Sequence, residues 1–253
     1  MKRVIVPFLV LAVFLLPSCI SEVRQQTHED AVNSMNIGHA YLVQSNYTIA
    51  LKELLKAEKI IHDDPYLEDD LGLAFMAKKR FALAEKHFKR AVKLKPDYIP
   101  AKNNLGTSYL KQKKWDLAIS IFKSISKDLL YATPHYPLSN MGWAYIGKKE
   151  YGYAKESFSK ALKLKPDFTP AVHGLATVFL KTSKGYSAVN ILTRAIKNNP
   201  RAAIFHADLA KAYEIMEQFS KAKKSWETFI SLAPESSLAT EAKAHIKKLA
   251  AMP

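Results

Sequence analysis

The chain has 253 residues, a formal net charge of +15, and 48% hydrophobic and 24% charged residues, which is ample for one folded unit of ordinary size. It holds only 8 glycines, and the abundance of Lys, Ala and Leu favours helix over strand. A single cysteine excludes an internal disulfide framework.

Lys2 and Arg3 open the chain, and residues 4–16 form an uncharged apolar run of 13. Such a run is too short to cross a bilayer comfortably and has the pattern of an export signal. It leads into Leu16-Pro17-Ser18-Cys19. A leucine three positions before the cysteine and a small residue just before it resemble the bacterial lipobox. That resemblance implies a signal peptide over residues 1–18 and a diacylated Cys19 as the mature N-terminus. Pro17 departs from the usual small or branched residue, and an ordinary signal with a chance cysteine is the alternative. Several acyl chains give stable anchoring where one is marginal. Ile20 and Ser21, rather than Asp, follow the cysteine. By resemblance to the Gram-negative sorting rule, this implies the periplasmic face of the outer membrane. Residues 19–30 are polar without apolar periodicity and read as a flexible tether.

From residue 31 the chain repeats itself, with frames starting at 31, 65, 99, 135, 169 and 203. Positions 7, 8 and 11 read Ile37-Gly38-Tyr41, Leu71-Gly72-Phe75, Leu105-Gly106-Tyr109, Met141-Gly142-Tyr145, Leu175-Ala176-Phe179 and Leu209-Ala210-Tyr213. Position 20 is alanine throughout: Ala50, Ala84, Ala118, Ala154, Ala188 and Ala222. Position 24 is Leu54, Phe88, Phe122, Phe158, Leu192 and Trp226, and position 32 is proline in four frames. These residues resemble the tetratricopeptide repeat (TPR), a pair of antiparallel helices A and B. Small residues at positions 8 and 20 let A and B approach, and large ones at 7, 11 and 24 fill the seams. Proline at 32 stops helix B. The predicted fold is an all-α TPR superhelical solenoid of six repeats over residues 31–234. Residues 235–253 supply an amphipathic capping helix with Leu238, Ala242, Ile246 and Leu249 on one stripe. Pro65 falls three residues late for the first frame, which predicts a longer first helix B or loop.

In such a fold the A helices line the binding face. Positions 2, 5, 9, 12 and 13 bring Tyr66, Leu73 and Met76 there from the second frame. Asn103 and Leu110 come from the third, and Tyr136, Trp143 and Ile146 from the fourth. This groove is largely apolar and aromatic, and suits an amphipathic helix or an extended hydrophobic segment of a protein partner. Trp143 and Tyr136 are the candidate anchors; the competing reading has these groove residues packing against neighbouring repeats.

Basic clusters recur at the turns between A and B: Lys78-Lys79-Arg80, Lys111 with Lys113-Lys114, and Lys148-Lys149. They read either as attraction for anionic lipid, cell wall or an acidic partner, or as a solvated surface. Nucleic acid is not an expected partner of an exported chain, nor is a small-molecule substrate. Eight histidines are scattered without metal-ligand spacing. Glu68-Asp69-Asp70 and Asp63-Asp64 fit no calcium loop and read as a solvated loop and helix start. No GxSxG elbow or Gly-rich phosphate loop occurs, so no catalytic residues, cofactor or metal are expected.

Two stretches carry a narrower resemblance. One is Asn103-Asn104-Leu105-Gly106. The other contains Tyr131, Thr133-Pro134-His135-Tyr136 and Asn140-Met141-Gly142-Trp143-Ala144-Tyr145, with two extra residues between the third and fourth frames. With the lipobox and six repeats they resemble the type IV pilus biogenesis lipoproteins, pilotins of the PilF/PilW/Tgl type. The resemblance implies an outer-membrane lipoprotein that holds secretin subunits and promotes their multimer assembly. A periplasmic scaffold recruiting cell-wall hydrolases or polysaccharide-export components is the alternative.

Overall fold

The computed structural model describes residues 16–128 and 132–250. The apolar stretch through residue 15, Tyr131 and the side chain of Cys19 therefore lie outside the described residues. Every regular element among them is an α-helix. Contacts divide the chain into two compact units, residues 1–108 and 109–253, with the boundary inside one helix.

The first unit contains α1 (Leu16–Val43), α2 (Tyr47–Glu58), α3 (Pro65–Ala77), α4 (Phe81–Leu94) and most of α5 (Ile99–Lys111). The second contains the end of α5, then α6 (Trp115–Ile125), α7 (His135–Gly147), α8 (Tyr151–Leu164), α9 (Thr169–Lys181), α10 (Gly185–Asn198), α11 (Ala203–Ile215), α12 (Phe219–Leu232) and α13 (Leu238–Leu249). The A helices α3, α5, α7, α9 and α11 begin at 65, 99, 135, 169 and 203, the frame starts of the sequence.

Packing explains the invariant positions. All six alanines at position 20 are fully buried, as are Leu54, Phe88, Phe122, Phe158, Leu192 and Trp226 at position 24. The glycine at position 8 of the first, second and fourth frames makes room for the large residue at position 24. A methyl on Gly38 would stand 2.6 Å from Leu54 Cγ, and one on Gly142 would stand 2.7 Å from Phe158. In the second unit, Phe158 centres a cluster with Leu138, Phe168 and Leu175. Ile37 is the exception at position 7: it is 47% exposed, whereas Leu71 in the second repeat is fully buried.

The turn between A and B is built one way throughout. Ser45, Lys79, Lys113, Lys149, Ser183 and Glu217 all have φ between 54° and 63°. In each case the next residue's amide bonds back five positions, as in Arg80 N to Phe75 O at 2.9 Å and Lys114 N to Tyr109 O at 2.9 Å. These are Schellman closures in which a non-glycine residue takes the left-handed position.

Prolines punctuate the other junctions. Pro96, Pro166, Pro200 and Pro234 each stand two residues past a B helix. Pro65 instead starts α3, where the amides of Tyr66 and Leu67 both donate to the cap residue Asp64 at 2.8 Å. That moves the extra length of the first repeat into the connection between α2 and α3.

The segment expected as a flexible tether, residues 19–30, lies within α1. It has no Gly or Pro, and Gln25 and Gln26 donate to Glu29 and Asp30 at 3.1 and 3.2 Å. Its side chains from residue 25 to 30 are exposed, so local helix propensity rather than burial holds it. No helix among the described residues is long and apolar enough to cross a membrane. At the other end, α13 buries Ala242 and Leu249 against Trp226 and Phe229 while Lys243, Lys247 and Lys248 face solvent.

Candidate partner-binding face

In the first unit, Leu73, Met76 and Asn103 are half-buried and Tyr66 is 44% exposed. Tyr66 is held in place: its ring meets Tyr98 edge-on at 5.1 Å, and Lys95 Nζ donates to its hydroxyl at 2.7 Å. In the second unit, Leu110, Trp143 and Ile146 are half-buried and Tyr136 is 45% exposed. Tyr136 repeats the arrangement, with Phe168 edge-on at 4.9 Å. Trp143 lies edge-on to Phe158 at 5.6 Å and against the His173 ring at 5.1 Å. It joins the Phe158 cluster, so part of its surface is committed to repeat packing.

The A helices also carry buried polar pairs. Glu68, Asp69 and Asp70 are 2%, 4% and 7% exposed, which corrects the expectation of a solvated helix start. They follow the Asp64 cap directly, and the helix turns them inward. Asp70 meets His39 Nδ1 at 2.9 Å. Asp69 accepts from Asn104 Nδ2 at 3.0 Å and from Tyr98 OH at 3.4 Å. Burial pushes the Asp69 carboxyl up to about 6, against the lowering effect of the Asn104 bond; the Asp70 charge pushes the same way as burial.

Glu68, with Glu58 and His87, has donor atoms within 4.8 Å of one another, a grouping that could hold a cation. However, both Glu68 oxygens are taken, by His87 Nδ1 at 2.8 Å and Arg90 Nε at 3.0 Å. Arg90 brings the positive charge that a metal would, and the cluster reads as an ion-pair network reaching from the buried Glu68 to the exposed Arg90.

In the second unit, α9 and α11 line an open hollow of about 500 Å³. His173 Nδ1 stands 2.6 Å from Asp208 Oδ2 in its lining. Burial raises the Asp208 carboxyl, and the His173 bond and charge oppose that shift. Glu214, at the far end, accepts from Trp226 Nε1 at 2.6 Å and pairs with His245 at 3.0 Å.

The separation from Asp69 to Asn104 is 35 residues, and from His173 to Asp208 it is also 35. Position 5 of one repeat thus meets position 6 of the next. Reading each acid beside its neighbours in sequence missed these pairs, whereas reading position 5 against position 6 one frame on would have found them.

Two segments of the chain, residues 70–128 and 137–168, match family models described as tetratricopeptide repeat. Over 114 residues, 45% of this chain, it is 29% identical to anaphase-promoting complex subunit 3 of Schizosaccharomyces pombe, and the match spans only 17% of that protein's length. Among solved structures, PilF of Pseudomonas aeruginosa superposes with a TM-score of 0.67 at 21% identity, over 87% of this chain and 98% of PilF. PilW, a widely conserved type IV pilus biogenesis factor, superposes with a TM-score of 0.74 at 17% identity, over 84% of this chain and 98% of PilW. At these identities the likeness is one of fold. Two segments of this chain thus match tetratricopeptide repeats, and its described residues form an all-α fold of successive helix pairs.

Proposed function

We propose that this chain is an outer-membrane pilotin that is anchored through Cys19. It binds secretin subunits through exposed residues of its A helices and promotes their assembly into multimers for type IV pilus biogenesis. The observation that carries the reading is the agreement of fold over 98% of both PilF and PilW. The Asn103-Asn104-Leu105-Gly106 stretch and the residues from His135 to Tyr145 add to it. Tyr66 and Tyr136, exposed on A helices and braced by Tyr98 and Phe168, supply rigid aromatic contact area for an apolar segment. In this reading the protein catalyses no reaction and needs no cofactor.

The test is a count of SDS-resistant secretin multimers in outer membranes of a deletion strain complemented by wild type, Cys19→Ala or Tyr136→Ala. Tyr136 is preferred to Trp143 because Trp143→Ala also opens the Phe158 cluster. Multimers restored by wild type alone support both anchor and face. Restoration by Tyr136→Ala as well moves the binding site elsewhere. Normal multimers in the deletion strain overturn the reading.

A further inference from the structure

The turns between A and B helices in the second unit close in the same way, at Lys113, Lys149, Ser183 and Glu217, and they stack along one edge of that unit. The stacking is direct. A methyl on Gly147, at the end of α7, would stand 2.7 Å from the Trp115 indole at the start of α6, and one on Gly185 would stand 2.6 Å from Met216 Cγ. Lys148 bridges two of the turns, reaching Asp116 at 2.8 Å and Glu150 at 2.9 Å. Two chemistries alternate along this edge. Leu117, Tyr153 and Tyr186, each in the first turn of a B helix, are 49%, 59% and 79% exposed. Lys113, Lys149 and Lys184, in the turns that precede them, are exposed, and their ammonium groups make no ion pair or hydrogen bond among the described residues. The acids of those turns, Asp116 and Glu150, are both taken by Lys148.

We propose that this edge docks on a membrane surface of anionic phospholipid. Leu117, Tyr153 and Tyr186 enter the boundary between headgroups and acyl chains, and Lys113, Lys149 and Lys184 lie among the phosphates. An exposed apolar side chain beside a solvated cation fits that boundary, because the apolar group leaves water there while the ammonium stays hydrated and meets negative charge. Tyrosine suits it twice over, with an apolar ring and a polar hydroxyl. Charge selects the occupant: residues 111–116, 148–150 and 181–184 hold seven lysines against two acids, on a chain of net charge +15. The edge uses none of the A-helix residues of the secretin reading and does not depend on acylation of Cys19, so either reading can fail alone.

The experiment places a nitrobenzoxadiazole dye, which brightens on leaving water, at one position at a time in the full chain. The background is Cys19→Ser, and the labelled variants are Leu117→Cys, Tyr153→Cys and Asp167→Cys. Asp167 is exposed at the junction of α8 and α9, at the other end of the helix pairs. The apolar run at the start of the chain binds vesicles by itself, so the brightness of each dye, not binding, is the readout. The dyes at 117 and 153 are expected to brighten with phosphatidylglycerol-rich vesicles and not with pure phosphatidylcholine, while the dye at 167 stays dim with both. Lys113→Gln, Lys149→Gln and Lys184→Gln should each lower the ratio of docked to undocked edge about fivefold, and Lys197→Gln, near the end of α10, should leave it unchanged. Equal brightening with both kinds of vesicle, or at all three positions, overturns the proposal. So does a loss with Lys197→Gln equal to that with Lys149→Gln, because attraction would then be a property of the whole surface. Brightening with polyglutamate but not with vesicles overturns it too and assigns the edge to an acidic protein. Circular dichroism confirms that each variant stays folded.

Discussion

The ring of Phe158 on α8 lies directly against Gly174 on α9, closer than a methyl group could stand. Gly142 on α7 bounds the same ring from another side, where an added methyl would stand 2.7 Å away. Two glycines from successive A helices therefore seat one phenylalanine of the intervening B helix. Gly174→Ala is expected to destabilise the protein by about 1–3 kcal/mol through overpacking. Gly152, near the start of α8, has open space where a Cβ would go. Gly152→Ala is expected to stabilise by up to about 1 kcal/mol through helix propensity. Urea denaturation of the two variants checks both signs, and two changes of the same sign would refute the packing argument.

The six left-handed turn residues give an opposite opportunity. Lys113 has φ 58° and Lys149 has φ 63°, values that carry a steric penalty for any residue with a Cβ. Lys113→Gly and Lys149→Gly are each expected to raise stability by up to about 1 kcal/mol, offset in part by greater freedom of the unfolded chain. Thermal unfolding reads this out. A fall in melting temperature for both would mean that the lysine side chains stabilise the turns by more than the strain they carry.

Much of this architecture was legible in the sequence because close packing leaves few options. Only a small residue fits where Ala118 or Ala154 sits, and only a bulky one fills the place of Phe122 or Phe158. The periodicity therefore survives as residue identity, and the helix starts follow from it. Buried polar residues obey no such rule. Asp69 and Asp70 look like surface acids until Asn104 and His39 are brought to them from neighbouring repeats. Trp143 was legible as a candidate on the A-helix face. Its engagement with Phe158 and His173 depends on the register between helices, which a single repeat does not reveal.

Asp69 also makes stability depend on pH. Its carboxyl is raised from 3.8 to about 6 in the folded protein, so the folded state binds a proton there before the unfolded state does. Between about pH 4 and pH 6 its contribution to stability therefore falls as pH rises, and above pH 6 the penalty is fully present. Asp69→Asn keeps an oxygen to accept from Asn104 and removes the charge. The variant is expected to be more stable than wild type at pH 7.5 by about 1–3 kcal/mol, with the gap closing towards pH 4. Chemical denaturation at several pH values checks this. A gap of constant size would show that Asp69 does not titrate in that window.

The capping helix gives the last prediction. Trp226 is fully buried and Phe229 nearly so, and α13 contributes to that burial through Ala242 and Leu249. His245 on α13 stacks on the Trp226 ring at 5.1 Å and pairs with Glu214. A chain ending at Pro234 loses all of these contacts and exposes apolar surface on α12. Re-exposing one large side chain costs about 1.5–3 kcal/mol, and two are affected here. Because repeats contact mainly their neighbours, the damage should be local. Hydrogen exchange is expected to show protection lost across α11 and α12 while α7 and α8 keep most of theirs. Unchanged protection in α12 would mean that the last repeat is stable without its cap. Equal loss in every helix would mean that the second unit unfolds as one cooperative body.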